Sequence, residues 1–196
     1  TTPQAGLDGR RGYQPRGKVL GGSSSVNAMI YARGHTSDYD HWAQAGNPGW
    51  AWSDVLPYFL RAEHNERGAD AWPATGGPLN VADLQSPHRV SRDFVEAGVQ
   101  AGHARNGDFN GAQLEGVGLY QVTHRAGERF SVAKAYLTPH LGRPNLRVVT
   151  GARATRIVCE GRRAVGVEYR QGGQLHTVRA AREVLLGFGL IAARLA

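Results

Sequence analysis

Apolar and polar positions follow two different periods along this chain. From residue 37 to residue 102 the spacing is largely helical. Ser37-Asp38-Tyr39-Asp40-His41-Trp42 predicts a helix start with Ser37 or Asp38 as N-cap. Ser53 caps a second run that sets Val55, Leu56, Phe59 and Leu60 at helical spacing. Residues 90–102 predict an amphipathic helix with Phe94, Val95, Ala97, Gly98 and Val99 toward a core and Gly102 near the C-cap. Ser131 opens a helix over 131–141, which Pro139 ends or kinks. From Asn145 the period becomes strand-like. Residues 146–150, 154–159, 164–169 and 175–179 predict short strands split by glycine turns, and residues 183–186 a buried strand. Further short strands are expected over 78–82 and 119–123. Residues 1–12, 67–77 and 106–118 are turn-rich, and Gly46-Asn47-Pro48-Gly49-Trp50 is a turn. Trp42, Trp50, Trp52, Tyr58 and Phe59 form an aromatic zone expected in the core, with a substrate-cavity wall as the alternative.

One stretch fits neither period. Arg16 to Met29 sets Gly21-Gly22, three serines and Asn27 between apolar residues. Two glycines can adopt positive φ and leave no Cβ in the way of a ligand. From Val26 through Tyr31 the chain reads helical, so the turn would open a helix and point free N–H groups at an anion, with Arg16 and Lys18 beside it. A ligand-embracing turn and a structural Gly/Ser loop are both open on composition, because neither G-x-G-x-x-G nor G-x-x-x-x-G-K-[ST] is present here.

Composition narrows the classes. A chain of 196 residues with 41% hydrophobic and 20% charged residues and 27 glycines suits a loop-rich globular protein of one or two domains. The formal charge is +7, but the arginines are scattered over expected strands and turns, and no nucleic-acid motif accompanies them. A solvated basic surface therefore outweighs nucleic-acid binding. Cys159 is the single cysteine; it allows no intrachain disulfide, and its apolar strand pattern predicts a buried, inert thiol. The eight histidines lack metal-ligand spacing, and the serines have no evident His/Asp partners, so no metal site and no serine nucleophile are expected. No signal peptide or membrane-spanning stretch is read, which makes a cytoplasmic location the default, with membrane association as the alternative.

The segment RGKVLGGSSSVNAMIYARG (residues 16–34) resembles the first signature of the glucose–methanol–choline (GMC) family of flavoenzymes, in its choline-dehydrogenase-like branch. DYDHWAQAGNPGWAWSDVLPYFLRAEHN, GGPLNV, GDFNGAQLEGVGLYQVTHRAGERFSVAKAYL and NLRVVTGARATRIVCEGRRAVGVEY resemble family segments in family order. The resemblance implies a mixed α/β fold, with residues 1–63 and 131–196 belonging to an FAD-binding domain and residues 64–130 to the substrate side. It implies FAD as cofactor. Gly21, Gly22 and Ser23 would pass along the pyrophosphate, Asn27, Ala28 and Ile30 would lie beside the ribityl chain and flavin ring, and the backbone of Ala154 would meet the adenine end. Ala154 stands where the family more often has valine.

The implied reaction is oxidation of a primary, choline-like alcohol to an aldehyde by hydride transfer to flavin. Some members bind flavin covalently through a histidine directly before the motif asparagine. Val26 stands there, so FAD is expected to be non-covalent. The family's glycine-rich strand–turn and its histidine base match nothing in these residues, and the second signature decays after Gly187. The chain is accordingly expected to be an internal piece of a larger enzyme and inactive alone, its partners being a small-molecule alcohol and the remainder of that enzyme. A silent fragment without flavin is the alternative.

Overall fold

A computed structural model describes residues 1–187 and 190–193. The mixed helix-and-strand chain forms two compact units, one from Thr1–Val26 with His140–Ala196 and the other from Asn27–Pro139. Residues 27–63, grouped at sequence level with the flanks, thus pack with the middle segment.

In the second unit, helix α1 (Thr36–Gln44) and helix α2 (Trp52–Ala62) lead into strand β1 (Glu63–Asn65). β1 pairs in parallel with β2 (Leu79–Val81), Glu63 opposite Leu79. Their close approach depends on Gly77: a Cβ there would lie 2.4 Å from the Ala62 carbonyl carbon and 2.5 Å from the Glu63 nitrogen. Helix α3 (Arg89–Gln100) follows, then a hairpin of β3 (His124–Arg125) and β4 (Glu128–Arg129). Ala126 and Gly127, both at positive φ, form its two-residue turn, the backbone that matches strand twist in a tight hairpin. Val122 is the centre of this unit: it bridges Ile30 on one side and Ala82 on the other, and Val81, Ala82 and Val122 are all buried.

In the first unit, β5 (Arg153–Glu160), β6 (Arg163–Gln171) and β7 (Gln174–Arg179) form an antiparallel meander with β6 central. Val165 and Val167 of β6 are buried, and Gly166 lets β7 approach, since a Cβ there would meet the Val178 carbonyl oxygen at 2.5 Å. Gly172 and Gly173 both take positive φ in the β6–β7 turn. β8 (Val184–Gly187) pairs antiparallel with β9 (Leu190–Ala193).

Several expectations are corrected. No helix follows Val26: Met29 has φ +63° and Ile30 is bridged to Val122, because the Met29 carbonyl and the Tyr31 N–H pair with Thr123 and Gln121 of the 119–123 segment rather than within a helix. The cap of α1 is His35, whose Nδ1 accepts from Ser37 N–H, rather than Ser37 or Asp38. α2 starts at Trp52 behind Ala51, with Asp54 accepting from the Ala51 N–H; Ser53 does not cap it. In α3 only Val95 is buried, while Phe94 is 72% exposed and Ala97 is exposed. Residues 131–141 form a wide π turn (Ala133–Leu137) and a tight 3-10 turn (Thr138–His140), although Ser131 Oγ does accept from Lys134 N–H. Residues 146–150 join no sheet, and their apolar side chains stay partly open.

Leu185 and Leu186 of the expected buried strand are exposed, since among the described residues β8 pairs with β9 alone in a two-stranded sheet. Cys159 is exposed at an irregularity of the β5–β6 pairing rather than buried. The aromatic zone is a surface cluster: Tyr39 touches Trp42, Trp52 and Phe59, while Trp42, Trp50 and Tyr58 remain about half exposed or more. The second signature expected after Gly187 falls largely on residues outside those described.

Candidate functional site

The glycine turn closes on itself. Gly21 and Gly22 both adopt positive φ, which L-residues with a side chain resist. A short 3-10 turn follows over Gly22–Ser25. The N–H groups of Gly22, Ser24 and Val26 go to the chain's own carbonyls of Val19, Gly21 and Ser23. Ser24 Oγ donates to Gly21 O at 2.6 Å and Ser25 Oγ to Leu20 O at 2.7 Å. Ser23 Oγ instead accepts from Gly17 N–H at 3.2 Å. These N–H groups are therefore not aimed at a ligand as a helix start would aim them. Gly17 is as necessary as the pair: a Cβ on it would sit 2.2 Å from the Gly22 carbonyl oxygen. In the same unit Ala154 lies on β5 opposite Tyr169, exposed beside a pairing irregularity.

In the other unit, residues 27–31 form a strip that turns at Met29 and then runs beside the 119–123 segment. Asn27 Oδ1 accepts from Met29 N–H at 3.0 Å and from Arg129 Nη1 at 2.8 Å, while Arg129 Nη2 donates to the Asn27 carbonyl at 2.7 Å. Thr123 donates twice to the Met29 carbonyl, from N at 2.8 Å and from Oγ1 at 3.3 Å. Tyr31 N–H donates to Gln121 O at 2.9 Å. Asn27, Ala28 and Ile30 are left exposed on a backbone held by the hairpin and the 119–123 segment. Gly21, Gly22 and Ser23 adjoin in one unit with Ala154 on its sheet; Asn27, Ala28 and Ile30 adjoin in the other.

The strip is anchored at its far end by a buried polar network. The Arg33 guanidinium pairs with the Glu63 carboxylate, both almost fully buried. Tyr31 OH donates to Glu63 Oε2 at 3.3 Å, and Asn65 Nδ2 donates to Glu63 Oε1 at 2.8 Å. Asn65 and Gln121 exchange amide hydrogen bonds at 2.9 and 3.1 Å. Asn110 receives the Arg33 N–H and donates to the Tyr31 carbonyl. Burial, with the Glu63 charge beside it, pushes the Tyr31 phenol up to about 12. Burial works against the Arg33 charge, but the bonds and charge of Glu63 and Tyr31 outweigh it and hold the guanidinium more firmly protonated than usual.

Arg129, Thr123 and this network escape a reading of the sequence. The signal available for Arg129 is the Ala126-Gly127 step, a turn that sets Arg129 opposite His124. The histidines are largely spent on structure. His35 and His88 cap α1 and α3, His64 accepts from Gly76 N–H, His124 Nε2 meets Asp83 O, and His176 stacks on Tyr169. Among the described residues no group of three or more His, Cys, Asp or Glu side chains could hold a metal, and no helix is long and apolar enough to cross a membrane.

A family model described as GMC oxidoreductase matches residues 4–193. An oxygen-dependent choline dehydrogenase of Brucella ovis is 50% identical over 184 residues, 94% of this chain and 33% of the relative. A protein of the same name from Sinorhizobium fredii is 48% identical over 184 residues, with the same coverage of both chains. The chain spans about a third of the length of these relatives. Among solved structures, pyridoxine 4-oxidase from Mesorbium loti superposes with a TM-score of 0.83 at 36% identity, covering 92% of this chain and 36% of that one. An FAD-dependent oxidoreductase from Chaetomium thermophilum gives 0.81 at 29% identity, covering 92% and 34%.

Proposed function

The chain belongs to the GMC oxidoreductase family, and from that premise we propose that it supplies part of the FAD site of an enzyme oxidising a primary, choline-like alcohol to an aldehyde. FAD, when bound, accepts the hydride released from the alcohol carbon. Residues 1–63 and 131–196 would contribute to FAD binding and residues 64–130 to the substrate side.

The observation that carries this reading is the strip at Asn27–Ile30. Its exposed face offers Ala28 and Ile30, small or apolar, while Asn27 Oδ1 and the carbonyls of Asn27 and Met29 are already engaged by Arg129, Thr123 and Met29 N–H. A flat aromatic ring can cover such a face without stranding those acceptors. Asn27 would therefore shape the wall more than grip the ring, with its amide NH₂ left to donate.

At the glycine turn, Gly21 and Gly22 would let the backbone pass close to a pyrophosphate. The phosphate oxygens would be met by the Ser23 hydroxyl proton, since Ser23 Oγ already takes the Gly17 N–H and the N–H groups of Gly22 and Ser24 are engaged. The backbone of Ala154 would face the adenine end. Val26 has no nucleophilic atom, so the cofactor would be held by non-covalent contacts alone.

The test uses the full-length protein that carries this chain. After purification it is denatured in acid, and flavin is measured in the supernatant and the precipitate; choline-dependent aldehyde formation is assayed in parallel. Released flavin with aldehyde formation is expected. Absence of flavin from the folded protein would refute the site, and flavin retained by the washed precipitate would refute the role given to Val26.

A further inference from the structure

We propose that Arg129 is a positioning residue that sets the shape of the Asn27–Ile30 wall and through it the fit of the flavin ring. The proposal rests on the reading of that strip as a flavin wall. The observations are geometric. Arg129 reaches Asn27 with two nitrogens of one planar fork, Nη1 to the side-chain Oδ1 at 2.8 Å and Nη2 to the main-chain carbonyl at 2.7 Å. Fixing both oxygens fixes the Asn27 side chain relative to its own backbone. That side chain in turn receives the Met29 N–H and so closes the turn that carries Met29 to φ +63°, a conformation an unbranched L-residue adopts only when its surroundings impose it. The turned backbone then presents the Met29 carbonyl to Thr123 and brings Ile30 into its bridge with Val122.

Arg129 itself is delivered by the hairpin. It lies opposite His124, whose Nε2 lies 2.8 Å from the Asp83 carbonyl and whose own carbonyl accepts from Asn80. The fork therefore arrives from a held element and acts on a segment 102 residues earlier in the chain. Nothing in this arrangement requires Arg129 to touch the cofactor; it acts through Asn27.

A lysine can supply the charge but not a planar fork that spans both oxygens. This separates positioning from charge. In the full-length protein, Arg129→Met is expected to speed amide exchange at Met29 by about ten- to hundred-fold, the loss of one to two bonds from a charged donor. FAD binding should weaken by a similar factor, with a shifted visible flavin spectrum. Arg129→Lys is expected to restore these readouts only in part.

Wild-type exchange at Met29, together with wild-type FAD affinity and spectrum, in folded Arg129→Met would overturn the proposal. Should that variant fail to fold, the same wild-type values in Arg129→Lys overturn it. Should the unaltered protein bind no FAD, the reading of the wall fails, while Met29 exchange still decides whether Arg129 shapes the segment.

Discussion

At the scale of single residues, the chain concentrates its electrostatic risk at Arg33 and Glu63. Both side chains are about 1% exposed, and the carboxylate also receives Tyr31 and Asn65. A buried pair contributes little net stability compared with a well-packed apolar substitute, but removing one partner leaves a charge in the interior. Glu63→Ala is expected to destabilise the protein by about 3–5 kcal/mol in denaturant unfolding; a loss below about 1 kcal/mol would mean that water reaches Arg33 freely.

Tyr31 gives a pH-dependent signature of the same cluster. Its phenol titrates at about 12 in the folded chain against 10.0 as reference. Between those values the unfolded chain binds fewer protons, so stability is fully present below pH about 10 and falls as pH rises toward about 12. Denaturant unfolding at stepped alkaline pH should show that decline, and Tyr31→Phe should remove its share. A variant with the wild-type slope would place the alkaline loss elsewhere.

At the scale of elements, what the sequence made legible was whatever depends on local pattern. The helices over 36–44, 52–62 and 89–100, the β5–β7 meander and the Gly102 stop of α3 all follow from spacing and turn residues. What depended on distant partners was not legible. Residues 146–150 alternate like a strand but find no ladder, and Phe94 has an apolar face with nothing packed over most of it. Residues 26–31 read as helix from Val26 onward; Arg129, 102 residues later than Asn27, and the 119–123 segment hold them in a non-helical turn and strip instead. The glycine pair was within reach of the sequence, whereas the exposure of Asn27, Ala28 and Ile30, the fork behind them and the Arg33–Glu63 network were not.

The helix stop offers a local check. Gly102 has φ +95°, its N–H bonds Val99 O, and His103 N–H bonds Gly98 O. Gly102→Val should cost roughly 1–2 kcal/mol from the left-handed backbone alone, read as a lowered unfolding midpoint with unchanged helix content. An unchanged midpoint would mean that the turn re-forms without the glycine.

At the scale of the whole molecule, the question is whether these 196 residues suffice for the proposed chemistry. Removing the proton of an alcohol while hydride leaves calls for a base within hydrogen-bond reach of the hydroxyl, an effect typically worth about 10²- to 10⁴-fold in rate. The natural candidates here are histidines, and most already have other duties. His35 and His88 accept helix N-terminal N–H groups, His64 accepts from Gly76, His124 is buried with Nε2 against Asp83 O, and His176 stacks on Tyr169. Diverting any of them would cost the local bond that it supplies.

The core is also small. The buried apolar side chains among the described residues are five valines and three alanines, while Phe94, Tyr58 and Leu186 are each more than 60% exposed. The relatives, about three times as long, have the chain length to provide both base and cover. The isolated 196-residue chain should therefore show no oxidation of choline or benzyl alcohol above the no-protein control, even with FAD added in excess. The full-length protein should turn over a primary alcohol with a pH–rate profile that His35→Ala and His88→Ala leave in place, each variant losing only about 1 kcal/mol of stability as a missing cap. Turnover by the isolated chain, or loss of the basic limb of the profile in either variant, would return a catalytic role to the histidines of this segment.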